Sequence, residues 1–226
     1  TTMQKHGNNL LIGGTFYTVG GLNRRKFAEV NLSTGVPTSM DVSLANSAQV
    51  NTLTVVGDTV IIGGSFTSIG GQTRNRVAAF NLITDNLTAW NPDANGIVRS
   101  VGVINSKVYL AGSFTTIGGQ SRNNFAEVDL STATVDSWNP MPSIGEASLV
   151  KVSGNRLIIG GFFSDIGGSK RERIASFNTL NDSLEAWSPV LNSTPQTILI
   201  TGNEMYVGGS GFYGGLVRNR LAAIDL

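Results

Sequence analysis

Between residues 50 and 92 the chain alternates short runs rich in β-branched and aromatic residues with Gly, Asn, Asp or Pro. Four runs stand out: "VNTLTVV" over 50–56, "TVIIGGSF" over 59–66, "RVAAFNL" over 76–82 and "LTAWNP" over 87–92. Apolar runs of this length bounded by turn formers predict strands, here called A, B, C and D. The links "GD" at 57–58 and "ITDN" at 83–86 have hairpin lengths, so the four strands are expected to form an antiparallel meander. No segment carries the 3.6-residue period of an amphipathic helix.

The pattern returns along the whole chain. "IGGSFTSIGGQTRNRVAAF" from Ile62 has counterparts from Ile12, Ala111 and Ile159, and a shortened one from Val207, five copies in all. Their phenylalanines, Phe16, Phe66, Phe114, Phe163 and Phe212, are spaced 50, 48, 49 and 49 residues apart. Arg24, Arg74, Arg122, Arg171 and Arg218 keep the same rhythm, as do Ala28, Ala78, Ala126, Ala175 and Ala222.

Taken alone, the glycine-rich stretch with its arginines resembles a phosphate cradle. A single ligand site would need it once, so recurrence assigns the glycines and arginines to the construction of each unit. The pairs Gly63-Gly64 and Gly70-Gly71 then serve close backbone approach and positive φ in the B to C corner. Phe66 and Ile69 are expected to plug the gap between neighbouring units. Arg74 and Arg76 are expected to hold corner carbonyls, or carboxylates of the adjacent unit.

Four antiparallel strands about every 48 residues predict one propeller blade per unit. The expected fold is all-β, a five-bladed β-propeller in one domain over 1–226, with blades at about 1–42, 50–92, 98–140, 147–189 and 196–226. The last blade, ending at "LAAIDL", is expected to lack its outer strand. Its open edge invites association.

Composition narrows the chemistry. Sixteen Lys+Arg against 15 Asp+Glu give a formal charge of +1, which argues against a nucleic-acid or other polyanionic partner. With no cysteine and one histidine, thiol chemistry is excluded and any histidine-dependent triad would need His6. No apolar run approaches the roughly 18 to 20 residues that span a bilayer, so no membrane insertion is expected. Calcium wants six to eight converging oxygens, and no spaced Asp run of the loop type occurs; no metal or cofactor is expected.

Sites on repeat scaffolds are expected where the repeat breaks, and the D to A crossovers differ in every unit. Aligned on Gly7, Gly57, Asn105, Gly154 and Gly202, the A strands place Thr1, Asn51, Arg99, Ser148 and Gln196 at equivalent positions near the channel mouth. Arg99 is the one basic member and the expected ligand contact, against the alternative of a solvated arginine. Asp93, Asn95, Glu146 and Asn192 in or beside the crossovers are expected to add carboxylate or amide groups.

Trp90, Trp138 and Trp187 recur on strand D, with Met40 in the first unit. They are expected to pack between units, the alternative being a sugar-stacking platform. Sequons at Asn31, Asn86, Asn181 and Asn192 would be glycosylated in a secretory pathway, though repeat chemistry explains most of them equally well.

The pattern GGxFxxxGGxxRNRxAAFNLxTxxxxxWNP, as it stands around residues 63–92, resembles the delta-sixty-type β-propeller repeat, a relative of kelch-like propellers. That resemblance covers nearly the whole chain and implies a large secreted or cell-surface parent, especially a bacterial one. It carries no catalytic residues, and fold alone does not settle function. The expected activity is non-enzymatic binding, adhesin-like or lectin-like, to a glycan or a surface protein through the face bearing the crossovers. A structural spacer domain is the first alternative. The second is a glycoside hydrolase using Asp93 and Glu146 as its carboxylate pair.

Overall fold

The computed structural model describes residues 1–140, 145–211 and 220–226. Among these there is no helix, and the strands form five main sheets plus four two-stranded hairpins. Phe212, Arg218 and the Gly214-Gly215 pair lie outside the described residues, as does part of the third crossover.

Each main sheet is an antiparallel A-B-C meander. The A strands are Thr2–His6, Val50–Val56, Val98–Ile104, Glu146–Ser153 and Pro195–Thr201. B strands run Asn9–Gly13, Thr59–Gly64, Lys107–Gly112, Arg156–Phe162 and Glu204–Gly209. C strands run Phe27–Asn31, Val77–Asn81, Phe125–Asp129, Ile174–Asn178 and Leu221–Asp225.

Strand D is a ladder only in the second sheet, where Asn86–Leu87 pairs with Val77–Asn81. In the first, third and fourth sheets it shrinks to the isolated bridges Val30↔Pro37, Val128↔Val135 and Phe177↔Leu184. In the first three units the outer segment ends in a turn: side-chain oxygens of Thr38, Thr88 and Asp136 accept the backbone N–H two residues on, from Met40, Trp90 and Trp138. Such turns compete with a strand ladder and bend the chain away from the sheet.

That bend delivers an apolar residue into the seam with the next sheet. Trp90 is buried and its Nε1 donates to the Asp129 carbonyl at 2.9 Å, while Trp187 donates to the Asp225 carbonyl at 2.7 Å. Trp138 packs edge-on against Phe125 and Phe177, bridging the third and fourth sheets. The tryptophans therefore hold seams together.

Four apolar clusters fill the seams between consecutive sheets. Phe66 and Ile69, both buried, close the first with Leu11, Phe27 and Met40. Phe114 and Ile117 repeat the arrangement in the second cluster, and Phe163 and Ile166 in the third.

The B to C corners differ from a simple long loop. In four units the chain turns back on itself as a two-stranded hairpin, for example Ser68–Ile69 against Gln72–Thr73. Gly70 and Gly71 sit at its tip with φ of 61° and 73°. A two-residue turn with both φ positive favours glycine, which explains the second glycine pair of every described corner.

The arginines hold carbonyls of their own unit. Arg74 donates to the Thr73 carbonyl at 3.0 Å and to Thr88 on the outer segment at 3.1 Å. Arg24, Arg122 and Arg171 do the same toward Thr38, Asp136 and Glu185. Arg76 takes the Ser65 carbonyl. The expected carboxylates of an adjacent unit are not their partners, because the outer segment brings a row of otherwise free carbonyls closer.

Candidate functional site

The first glycine pair shapes the site. A Cβ on Gly64 would collide with the carbonyl oxygen of Gln49, one on Gly112 with that of Ile97 and one on Gly161 with that of Glu146. Without a side chain there, the end of each crossover lies directly on strand B, and Ser65 and Ser113 donate backbone N–H groups to Gln49 and Ile97 at 3.0 and 2.9 Å.

Strand A then carries one residue too many for its partner. The register slips between Val50 and Thr52, Val98 and Ser100, Ala147 and Leu149, and Pro195 and Thr197. The residues skipped are Asn51, Arg99, Ser148 and Gln196. A β-bulge leaves its extra residue out of the ladder and re-aims its side chain. The four bulged positions are thus the variable positions of the repeat.

All four line one open, mainly polar cavity of about 560 Å³, together with Ser193 and Thr194 of the last crossover. Asn51, Arg99, Ser148 and Gln196 also border the channel of about 460 Å³ that the five A strands surround, where Thr1 joins them. Thr54 and Ser100 bind the channel wall together, donating to the Val101 and Val150 carbonyls of the following sheets at 3.0 and 3.1 Å.

Arg99 is not a lone cation. Its Nε lies 3.2 Å from Glu146 Oε1, with the two side chains 46% and 40% exposed. Asn51 Nδ2 donates to the Val98 carbonyl at 3.2 Å, which fixes the amide beside Arg99. The mouth therefore presents a neutral ion pair flanked by amides and hydroxyls.

Asp93 and Asn95 stand apart from it. Asp93 Oδ1 accepts from Asn75 Nδ2 at 2.7 Å. Asn95 Oδ1 accepts the backbone N–H groups of Thr115 and Thr116 at 2.8 and 3.0 Å, tying the crossover to the third corner. Neither lines the two cavities. Asn192 lies against the last corner, where a Cβ on Gly211 would come within 2.5 Å of its Oδ1. Among the described residues no group of three His, Asp or Glu side chains converges on a cation site. His6, half-buried, faces Asp58 at 3.9 Å on the first inner strand.

Phe162 escaped the sequence reading. It pairs directly with Glu146 in the fourth sheet and is 67% exposed. A mainly apolar cavity of about 220 Å³ adjoins it, lined also by Gly145, Phe163, Ser164 and the ion pair of Arg173 with Glu172. Its signal was present, since the other units carry Thr15, Ser65, Ser113 and Ser210 at this position. The bulges had no such signal, because they arise from backbone proximity.

A family model for a β-propeller domain of unknown function, DUF5122, matches residues 58–82 and 105–130, the B-corner-C portions of the second and third units. The fold is of the β-propeller type. Solved structures agree with it in fold at low identity. The computationally designed Ika8 protein is 12% identical over 97% of this chain and 61% of its own, with a TM-score of 0.60. The Pan2 WD40 domain of Neurospora crassa is 11% identical over 99% of this chain and 61% of its own, with a TM-score of 0.59. The designed Ika4 protein is 12% identical over 84% of this chain and 98% of its own, at 0.56. The chain thus spans 61% of the length of the first two of these proteins. No curated protein matches it.

Proposed function

We propose that the chain is a non-enzymatic extracellular binding module whose five sheets are the five blades of a propeller, and that it recognises a glycan through the face bearing the crossovers. One observation carries the reading: four bulged residues that differ from unit to unit, Asn51, Arg99, Ser148 and Gln196, converge on a single open cavity. A scaffold that keeps its frame constant and varies the residues aimed at one cavity fits selection for a ligand. The likeness to delta-sixty-type repeats supports a secreted or cell-surface setting. The free edge of Leu221–Asp225, unpaired on its outer side among the described residues, is the proposed place of association with a further strand.

Hydrolysis has less support, because Asp93 is committed to Asn75, Glu146 is paired with Arg99, and neither carboxylate lines the cavity. The test is a glycan array probed with the purified chain and with Arg99→Ala, with and without calcium. A hit that weakens about tenfold in the variant is expected, the size of one lost charge-assisted hydrogen bond. A blank array would shift the reading to a protein partner or a spacer. Sugar turnover that depends on Glu146 would overturn it.

A further inference from the structure

We infer that Phe162 forms the aromatic half of a two-part sugar site whose polar half is the Arg99 cavity, and that the ligand is a neutral oligosaccharide of at least two rings. The inference rests on the binding function proposed above and names its ligand class.

Three features carry it. Directly paired residues in an antiparallel ladder project from the same face with Cβ atoms about 5 Å apart, so Phe162 stands beside Glu146. Glu146 in turn holds Arg99, which borders the polar cavity. Phe162, Glu146 and Arg99 therefore form a continuous row from an apolar hollow of about 220 Å³ to a polar one of about 560 Å³.

Phe162 also has no structural task in common with its counterparts. The hydroxyl residues at this position in the other units need not pack, and Phe162 leaves most of its ring in solvent. A large exposed aromatic beside a polar cleft is an arrangement found at recognition sites rather than in cores.

Charge selects the ligand. Arg99 and Glu146 cancel, as do Arg173 and Glu172 at 3.6 Å beside the apolar hollow, and the remaining polar wall offers amides and hydroxyls around Leu149 and Pro195, an arrangement that favours a ligand without an ionised group. A half-exposed guanidinium–carboxylate pair presents donors and acceptors side by side, matching vicinal hydroxyls, each of which both donates and accepts. Two hollows along one row fit two or more pyranose rings, one laying its C–H face on Phe162 and the other hydrogen-bonding at Arg99.

The experiment is calorimetric titration of the wild-type chain, Phe162→Ala, Phe162→Tyr and Arg99→Ala with neutral hexose and N-acetylhexosamine homo-oligomers of one to four units. The expected result is tighter binding of a dimer or longer than of its monomer, a loss of about tenfold in Phe162→Ala, and retention in Phe162→Tyr. Undiminished binding by Phe162→Ala alongside loss in Arg99→Ala would overturn the aromatic subsite and leave the proposed function standing. Absence of binding by the wild-type chain to every probe would overturn both.

Discussion

Gly64 and Gly71 show that two glycines seven residues apart can be required for different reasons. A Cβ at Gly64 meets the Gln49 backbone, which cannot move without dismantling the bulge at Asn51. At Gly71 the space is open, and only the φ of 73° disfavours a side chain. Gly71→Ala is expected to lose about 1–2 kcal/mol, the left-handed penalty alone. Gly64→Ala is expected to lose more, about 3 kcal/mol, by forcing backbone apart. Urea unfolding of the two variants checks this, and equal losses would show that the close approach at Gly64 is dispensable. A third residue-scale feature hid from the sequence. Lys26, Arg76, Asn124, Arg173 and Arg220 all have φ between 64° and 71°. Only Asn124 is of a type that favours a left-handed backbone; at the basic residues the conformation survives because each N–H reaches back to the corner, as Arg76 does to Phe66 at 2.8 Å.

Among elements, the third sheet carries the unusual electrostatics. Lys107 on its B strand contacts Glu127 at 2.9 Å and Asp182 of the next unit at 3.1 Å, with buried Tyr109 beside them and Asp136 nearby. Burial raises the Tyr109 phenol above its ordinary value, and the carboxylates of Glu127 and Asp182 push the same way. Burial pulls Lys107 down, but its two carboxylate partners prevail and the net direction is up. Burial likewise holds the Glu127 carboxyl above the usual range despite Lys107. A group whose folded value lies above its unfolded one contributes stability below the unfolded value and loses it as pH rises. Stability is therefore expected to fall as pH climbs past the ordinary tyrosine value of 10.0, and Tyr109→Phe is expected to flatten that fall. Thermal melts of both proteins across the alkaline range check it; identical slopes would remove Tyr109 as the cause. The units and their first three strands were legible in the sequence because period and turn chemistry are local. Strand D was less so: the ladder expected over 87–92 covers only Asn86–Leu87, because the Thr88 side chain takes the Trp90 N–H and turns the chain off the sheet. The ring of Asn51, Arg99, Ser148 and Gln196 was legible from alignment of the units, but the bulges that aim it follow from contacts between segments distant along the chain.

For the whole molecule, the seams are not equivalent. Leu53, Val101, Val150 and Ile198 occupy one repeat position and are 3–6% exposed, whereas Met3 at the same position is 63% exposed. At the first position of strand C, Leu221 is 62% exposed where Phe27, Val77, Phe125 and Ile174 are buried. Among the described residues, these positions of the first and fifth sheets thus lack the burial that their counterparts have between consecutive sheets. Leu53→Ala removes side-chain volume from a filled seam and is expected to lose about 2–5 kcal/mol, because the cavity it leaves collapses only partly. Met3→Ala removes atoms already in water and is expected to change stability by about 0.5 kcal/mol or less. Paired denaturation curves decide the matter. A Met3→Ala loss as large as that of Leu53→Ala would mean that the fifth seam is covered in solution, and that the proposed association at the Leu221–Asp225 edge acts on a ring already closed.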